Sequence, residues 1–151
     1  VIELILSGKH HAIYYIARGG HTTFRKFADE LRARGPVAGK VRGKKYDHKR
    51  PTPKSWKGLM GVLEKAAQHG YKILSNTNMV KTWAADDGTQ VAEFRKRDLR
   101  VLFFEDETIK QRPTRLIVTN CFKKKSDETP PQEIDRFLRL RTQYYKWRAE
   151  T

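Results

Sequence analysis

The stretch from Val91 to Glu105, V-A-E-F-R-K-R-D-L-R-V-L-F-F-E, restricts this chain more than any other. Val91–Arg95 and Arg100–Glu105 are rich in β-branched, aromatic and aliphatic residues, and Lys96–Leu99 connect them, which predicts a tight hairpin. With Arg97 and Asp98 as the turn residues, Lys96 pairs with Leu99, Arg95 faces Arg100, Phe94 faces Val101 and Ala92 faces Phe103. Ala92, Phe94, Val101 and Phe103 then share a face fit for a core. The opposite face sets two guanidinium groups side by side. Like charges directly opposite are unfavourable on a sheet, so the pair requires an anion. Glu93, on the same face, is the internal candidate. An RNA phosphate is the external one, because a guanidinium offers a planar fork of donors matched to phosphate oxygens.

The rest of the composition agrees with a polyanionic partner. Lys and Arg number 32 against 17 Asp and Glu, a formal charge of +15 over 151 residues. That balance points first to nucleic acid and second to an anionic membrane surface. The length predicts one domain with a modest core. No run approaches the roughly 18 apolar residues of a spanning helix, and Val1–Leu6 lacks the shape of a signal peptide, so a cytoplasmic protein is expected. Cys121, the single cysteine, precludes an intrachain disulfide and sits in an apolar run, as a buried unreactive thiol would. His10, His11, His21, His48 and His69 show no zinc-site spacing, and no metal or cofactor is implied.

In chain order, Val1–Leu6 and Ala12–Ala17 read as strands joined through Ser7–His10. Phe24, Phe27, Ala28 and Leu31 form a helical stripe, with Thr22 or Thr23 as cap and Gly35-Pro36 as stop. About residues 36–57 the chain becomes a basic insertion, with Lys40, Arg42, Lys44, Lys45, Lys49, Arg50, Lys54 and Lys57 opposed by Asp47. It reads either as a loop that tracks a nucleic-acid backbone or as a solvated linker. Trp56, Leu59, Met60, Leu63 and Ala67 repeat the helical stripe, with Ser55 as cap and Gly70 as stop. Tyr71–Leu74 and Met79–Trp83 read as extended, Glu105–Thr114 as a polar loop and Arg115–Phe122 as a third strand of the main sheet. Thr129-Pro130-Pro131-Gln132 has the form of a capping box opening a last helix. Its apolar face includes Phe137, Leu138, Tyr144, Tyr145 and Trp147, so it must pack against something.

Two motifs in tandem carry a resemblance. The hairpin is similar to the "E-L-R … R-I-L-Y-F" hairpin of the RelE/ParE toxin superfamily, in its HigB-like, phage-derived branch. N-C-F-K-K-K-S-D-E-T-P-P-Q-E-I-D-R-F resembles that branch's "G-F-x-K-K-x-x-x-T-P-x-x-E-I-x-x-A" segment. The likeness runs from about residue 10 to the C-terminus, interrupted by the basic insertion. Phe137 stands where Ala is usual and Asn120 where Gly is usual. The resemblance implies a single RelE-like α+β domain over residues 1–151: a small antiparallel sheet, helices on one side, two of them after the first strands, and a C-terminal helix. It implies a type II toxin that cleaves mRNA on the ribosome, held in check by a cognate antitoxin, a helix-turn-helix protein. Members like ParE act instead on DNA gyrase.

Metal-free RNA cleavage requires removal of a 2′-hydroxyl proton, stabilisation of charge on the phosphate and help for the leaving 5′-oxygen. Arg95 and Arg100 suit charge stabilisation, and Lys124 suits phosphate binding or proton transfer. Glu93 is either a base or the neutralising partner of the arginines. Lys123, Lys125, Lys44, Lys45 and Arg50 are the candidates for RNA backbone contacts, the lysine triplet being alternatively a solvated strand end. His48 is the histidine best placed in sequence for proton transfer. Tyr144, Tyr145 and Trp147 would stack a base or, by their helical spacing, pack a core. A basic nucleic-acid-binding module without chemistry is the non-enzymatic alternative.

Overall fold

A computed structural model of the chain describes residues 2–17, 24–26, 28–29, 52–75 and 77–151. Six strands form one sheet in the order β1-β2-β6-β5-β4-β3. They are β1 (Ile2–Ser7), β2 (His11–Ile16), β3 (Val80–Ala84), β4 (Gln90–Lys96), β5 (Leu99–Glu105) and β6 (Thr114–Lys123). The helices are α1 (Pro53–His69), the single turn α2 (Tyr71–Leu74) and α3 (Pro131–Glu150), and residues 24–26 and 28–29 are also helical. The α+β class is as expected, but the sheet is neither small nor wholly antiparallel. β2 pairs with β6 in parallel, His11 beside Thr114 through Tyr15 beside Val118.

The alternation of side chains along a strand divides the core in two. On one face Ile13, Phe94, Val101, Phe103 and Val118 pack with Leu59, Leu63, Ala66 and Ala67 of α1 and with Phe24. On the other, Ile16, Val91, Leu102, Phe104 and Ile117 pack with Phe137 and Tyr144 of α3. Helices therefore cover both faces, a correction to the one-sided arrangement. The cause is legible in β5: Leu99 through Phe104 are all buried, so each face needs its own apolar cover. Tyr144, Tyr145 and Trp147 belong to this second cluster.

Local chemistry explains the helix ends. Thr52, not Ser55, caps α1: its hydroxyl accepts from Ser55 N–H at 3.1 Å while Ser55 Oγ accepts from Thr52 N–H at 3.0 Å. This reciprocal pair satisfies two exposed donors. Gly70 ends α1 as predicted, with φ 98° and its N–H on Ala66 O at 2.8 Å. Tyr71–Leu74 is helical rather than extended. At α3, Pro131 occupies the first turn, but Pro130 rather than Thr129 stands at the cap position and no side chain caps the helix; the Thr129 hydroxyl donates to Glu93. The C-terminal half of α3 is anchored to the loop after β5, with Tyr144 Oη 2.5 Å and Arg148 Nη1 2.7 Å from Asp106 Oδ2. No described helix is long and apolar enough to cross a membrane.

Candidate functional site

The β4–β5 hairpin has the predicted register, with Lys96 opposite Leu99, Arg95 opposite Arg100, Phe94 opposite Val101 and Ala92 opposite Phe103. Arg97 takes φ 55° at the turn, a left-handed conformation that glycine would adopt more easily. Val91, Glu93 and Arg95 alternate onto the α3 side of β4, and Arg100, Leu102 and Phe104 onto the same side of β5. The two guanidinium groups are thus on one face.

They are also already balanced by a carboxylate. Glu93 Oε1 lies 3.3 Å from Arg95 Nε and 3.6 Å from Arg100 Nε, and Oε2 accepts from the Thr129 hydroxyl at 3.1 Å. Arg95 Nε lacks hydrogen-bond alignment to any acceptor, so its contact with Glu93 is coulombic. Arg100 donates through Nη1 to Arg97 O at 2.6 Å and Leu99 O at 2.8 Å. The residues differ sharply in access. The side chains of Glu93 and Arg100 are 3% and 7% exposed, against 26% for Arg95. Arg95 is the only member of the triad that reaches solvent.

Burial raises the Glu93 carboxyl above its ordinary range despite Thr129, Arg100 and Arg95, which oppose it. Burial also lowers Arg100, with Arg95 adding to the effect. Both shifts say that desolvation outweighs attraction, the expected balance for ionic groups taken out of water. A carboxylate with a raised pKa beside a cation is a recognised mark of functional sites. Here both Glu93 oxygens are engaged and covered by the segment leading into α3, so the neutralising role is the one this geometry fits.

The neighbouring lysines have partners as well. Lys123 Nζ is 3.4 Å from Asp98 Oδ2 and its side chain is 9% exposed, which places it in the wall of the turn rather than on an RNA-facing surface. Lys124 Nζ meets Asp127 at 3.1 Å, and its backbone N–H donates to Asp98 O at 2.6 Å. Lys125 is exposed. Lys44, Lys45, Arg50 and His48 lie outside the described residues. Cys121 is fully buried and burial raises its thiol pKa, so it is not a nucleophile.

Lys81 belongs to this site, although the sequence reading passed over it. It pairs with Glu93 across β3 and β4, is exposed and holds its amine 5.5 Å from the centre of the Trp83 ring. The Asp87-Gly88 turn was the available signal, since it fixes the β3–β4 register. Lys81, Arg95 and Arg100 thus surround Glu93, three cations about one anion. The arrangement can hold a phosphate at its open side, through Arg95 and Lys81. No family model, curated protein or solved structure matches this chain.

Proposed function

We propose that this chain acts on RNA as the toxin of a type II toxin-antitoxin pair, a metal-independent endoribonuclease working on mRNA at the ribosome. The observation that carries the reading is the face-sharing pair Arg95 and Arg100 at the hairpin end, flanked by Lys81, Lys124 and Lys125, in a chain of net charge +15. Arg95 contacts the scissile phosphate, and Arg100, too buried to do so, is a positioning residue that fixes the hairpin end and Glu93. Attack of the 2′-oxygen on phosphorus forms a cyclic phosphate and breaks the bond to the 5′-oxygen. The 2′-hydroxyl proton passes to solvent water, both Glu93 oxygens being engaged within the fold, and the leaving oxygen is protonated. Lys124 is the candidate for the second transfer.

A second reading, RNA binding without cleavage, is favoured by one observation: both oxygens of Glu93 are engaged within the fold. Controlled expression with mapping of transcript 5′ ends separates the two. Cleavage predicts growth arrest with new ends inside coding regions, both lost in Arg95→Ala. Arrest without new ends but with a DNA-damage response would favour gyrase as target. Binding without either effect would leave the non-enzymatic reading.

A further inference from the structure

The opposite end of β5 holds a second cationic site. There the turn between β1 and β2 packs on the end of α1 so closely that a Cβ at Gly8 would stand 2.5 Å from the Ala67 carbonyl carbon. His10 N–H donates to Ala67 O at 2.8 Å and Lys9 N–H to Gln68 Oε1 at 3.2 Å. The turn therefore carries Lys9 and His10 to the place where α1 ends in His69 and Gly70. A cleft of about 560 Å³ results, lined by Lys9, His10, His69, Lys72, Glu105 and Arg112 among others.

Its floor is fixed by His11, which is 7% exposed. Tyr71 N–H donates to His11 Nε2 at 3.1 Å, so the neutral ring carries its proton on Nδ1 and donates it to Thr114 Oγ1 at 2.6 Å. Thr114 in turn donates to His10 O at 3.3 Å. Burial lowers the pKa of His11, with Lys72 and His10 adding to the effect and Glu105 opposing it, in keeping with a neutral strut rather than a bound cation.

Both ends of the sheet carry cations outside ion pairs. At the hairpin, Glu93 serves Arg95 and Arg100, Asp98 serves Lys123 and Asp127 serves Lys124, while Lys81, Lys96, Arg97 and Lys125 are exposed and form no ion pair among the described residues. In the cleft, among the described residues, Lys9, Lys72 and Arg112 form no ion pair. Glu105, the one carboxylate lining it among the described residues, accepts from the Tyr71 hydroxyl at 3.3 Å. Glu107 and Lys110 lie on the adjoining rim with opposite signs. The cleft thus keeps three cations outside any ion pair, roughly 17 Å along β5 from Arg100 at about 3.4 Å per residue.

We propose that this cleft binds a backbone phosphate of single-stranded RNA. As to the ligand this rests on the RNA reading above; as to the phosphate it does not. Lys72 and Arg112 supply charge, and the exposed rings of His10 and His69 supply N–H donors and flat surfaces on which a base can stack. Ile73, 72% exposed at the same rim, adds an apolar contact. A carboxylate-rich protein would match the charge but not these planar groups.

The test has two arms, run on the full chain and on Lys72→Ala/Arg112→Ala, whose exposed positions should leave the urea midpoint unchanged. In the first, inorganic phosphate is titrated while the imidazole NMR signals of His10 and His69 are followed. Saturable shifts in the wild type that vanish in the variant are expected; no shifts would overturn the site whatever RNA does. In the second, anisotropy of a labelled oligouridylate is measured across a salt series. The variant should bind roughly ten-fold more weakly at moderate salt, with a log–log salt slope smaller by about 1 to 2. Phosphate shifts with unchanged RNA affinity would mean a small phosphate ligand instead and would overturn the RNA assignment. Failure of the toxin reading shows separately, in the transcript ends of Arg95→Ala.

Discussion

Replacing Glu93 by Ala isolates what holds the hairpin end together. Glu93 is 2% exposed and the Arg100 side chain 7%, so the substitution leaves a buried guanidinium directly opposite a second one with no counter-charge. Removing one partner from a buried ion pair costs about 3–5 kcal/mol. Arg95, with 26% of its side chain exposed, can turn towards water and relieve part of the repulsion, which puts the expectation near the lower bound, about 3 kcal/mol. With a urea slope of about 2 kcal/mol per molar, the midpoint should fall by about 1.5 M. The double variant Glu93→Leu/Arg100→Leu removes both desolvated charges of that contact. Since burial outweighs attraction for both groups, it should stay within about 1 kcal/mol of the wild type. Equilibrium urea unfolding of the four proteins, including Arg100→Leu alone, measures this. A midpoint shift below about 0.5 M for Glu93→Ala, or a double variant as unstable as the single, would refute the shared-carboxylate account.

Titration gives two further expectations. The Glu93 carboxyl is raised above its ordinary 4.5 by burial, so the folded chain holds that proton more tightly than the unfolded chain. This contribution to stability is complete below about 4.5 and lost as pH rises through the folded value; the stability difference between wild type and Glu93→Gln should decline over that window. His11 is lowered from 6.5, so its contribution is complete above about 6.5 and lost as pH falls through the folded value. His11→Gln should flatten that part of the stability–pH curve. Arg97→Gly should raise stability by up to about 1 kcal/mol, because φ 55° strains a residue bearing a Cβ; thermal unfolding reads it, and a fall would show that the arginine side chain matters more than the turn. Phe137→Ala, at a fully buried position, should cost about 3–5 kcal/mol and weaken near-UV circular dichroism as the aromatic cluster under α3 loosens.

What the sequence disclosed followed the range of each interaction. The hairpin register was legible because period-two alternation and a two-residue turn fix it within fifteen residues. Leu59, Leu63 and Ala67 of α1 could be read for the same reason, their helical spacing and the Gly70 stop both being local. The parallel union of β2 with β6 joins residues about a hundred apart, and nothing in either strand announces it. Four residues such as Tyr71–Leu74 carry too little pattern to separate a helical turn from a strand. Thr129 shows the subtler limit: its capping signature is present, yet the helix begins one residue later, with Pro130 at the cap position, and the Thr129 hydroxyl donates to Glu93, a residue far off in sequence. The same limit governs the site. Composition states that cations are in excess, but whether any one of them is neutralised depends on neighbours that only the fold supplies. Arg95 and Arg100 stood out in the sequence and prove to share a carboxylate. Lys9, Lys72 and Arg112 lie scattered in the sequence, and the fold gathers them into a cleft where, among the described residues, they form no ion pair. A polyanion approaching this chain responds to that residual field more than to the total charge, so the cleft attracts it as well as the hairpin end, where Lys81, Lys96, Arg97 and Lys125 form no ion pair among the described residues.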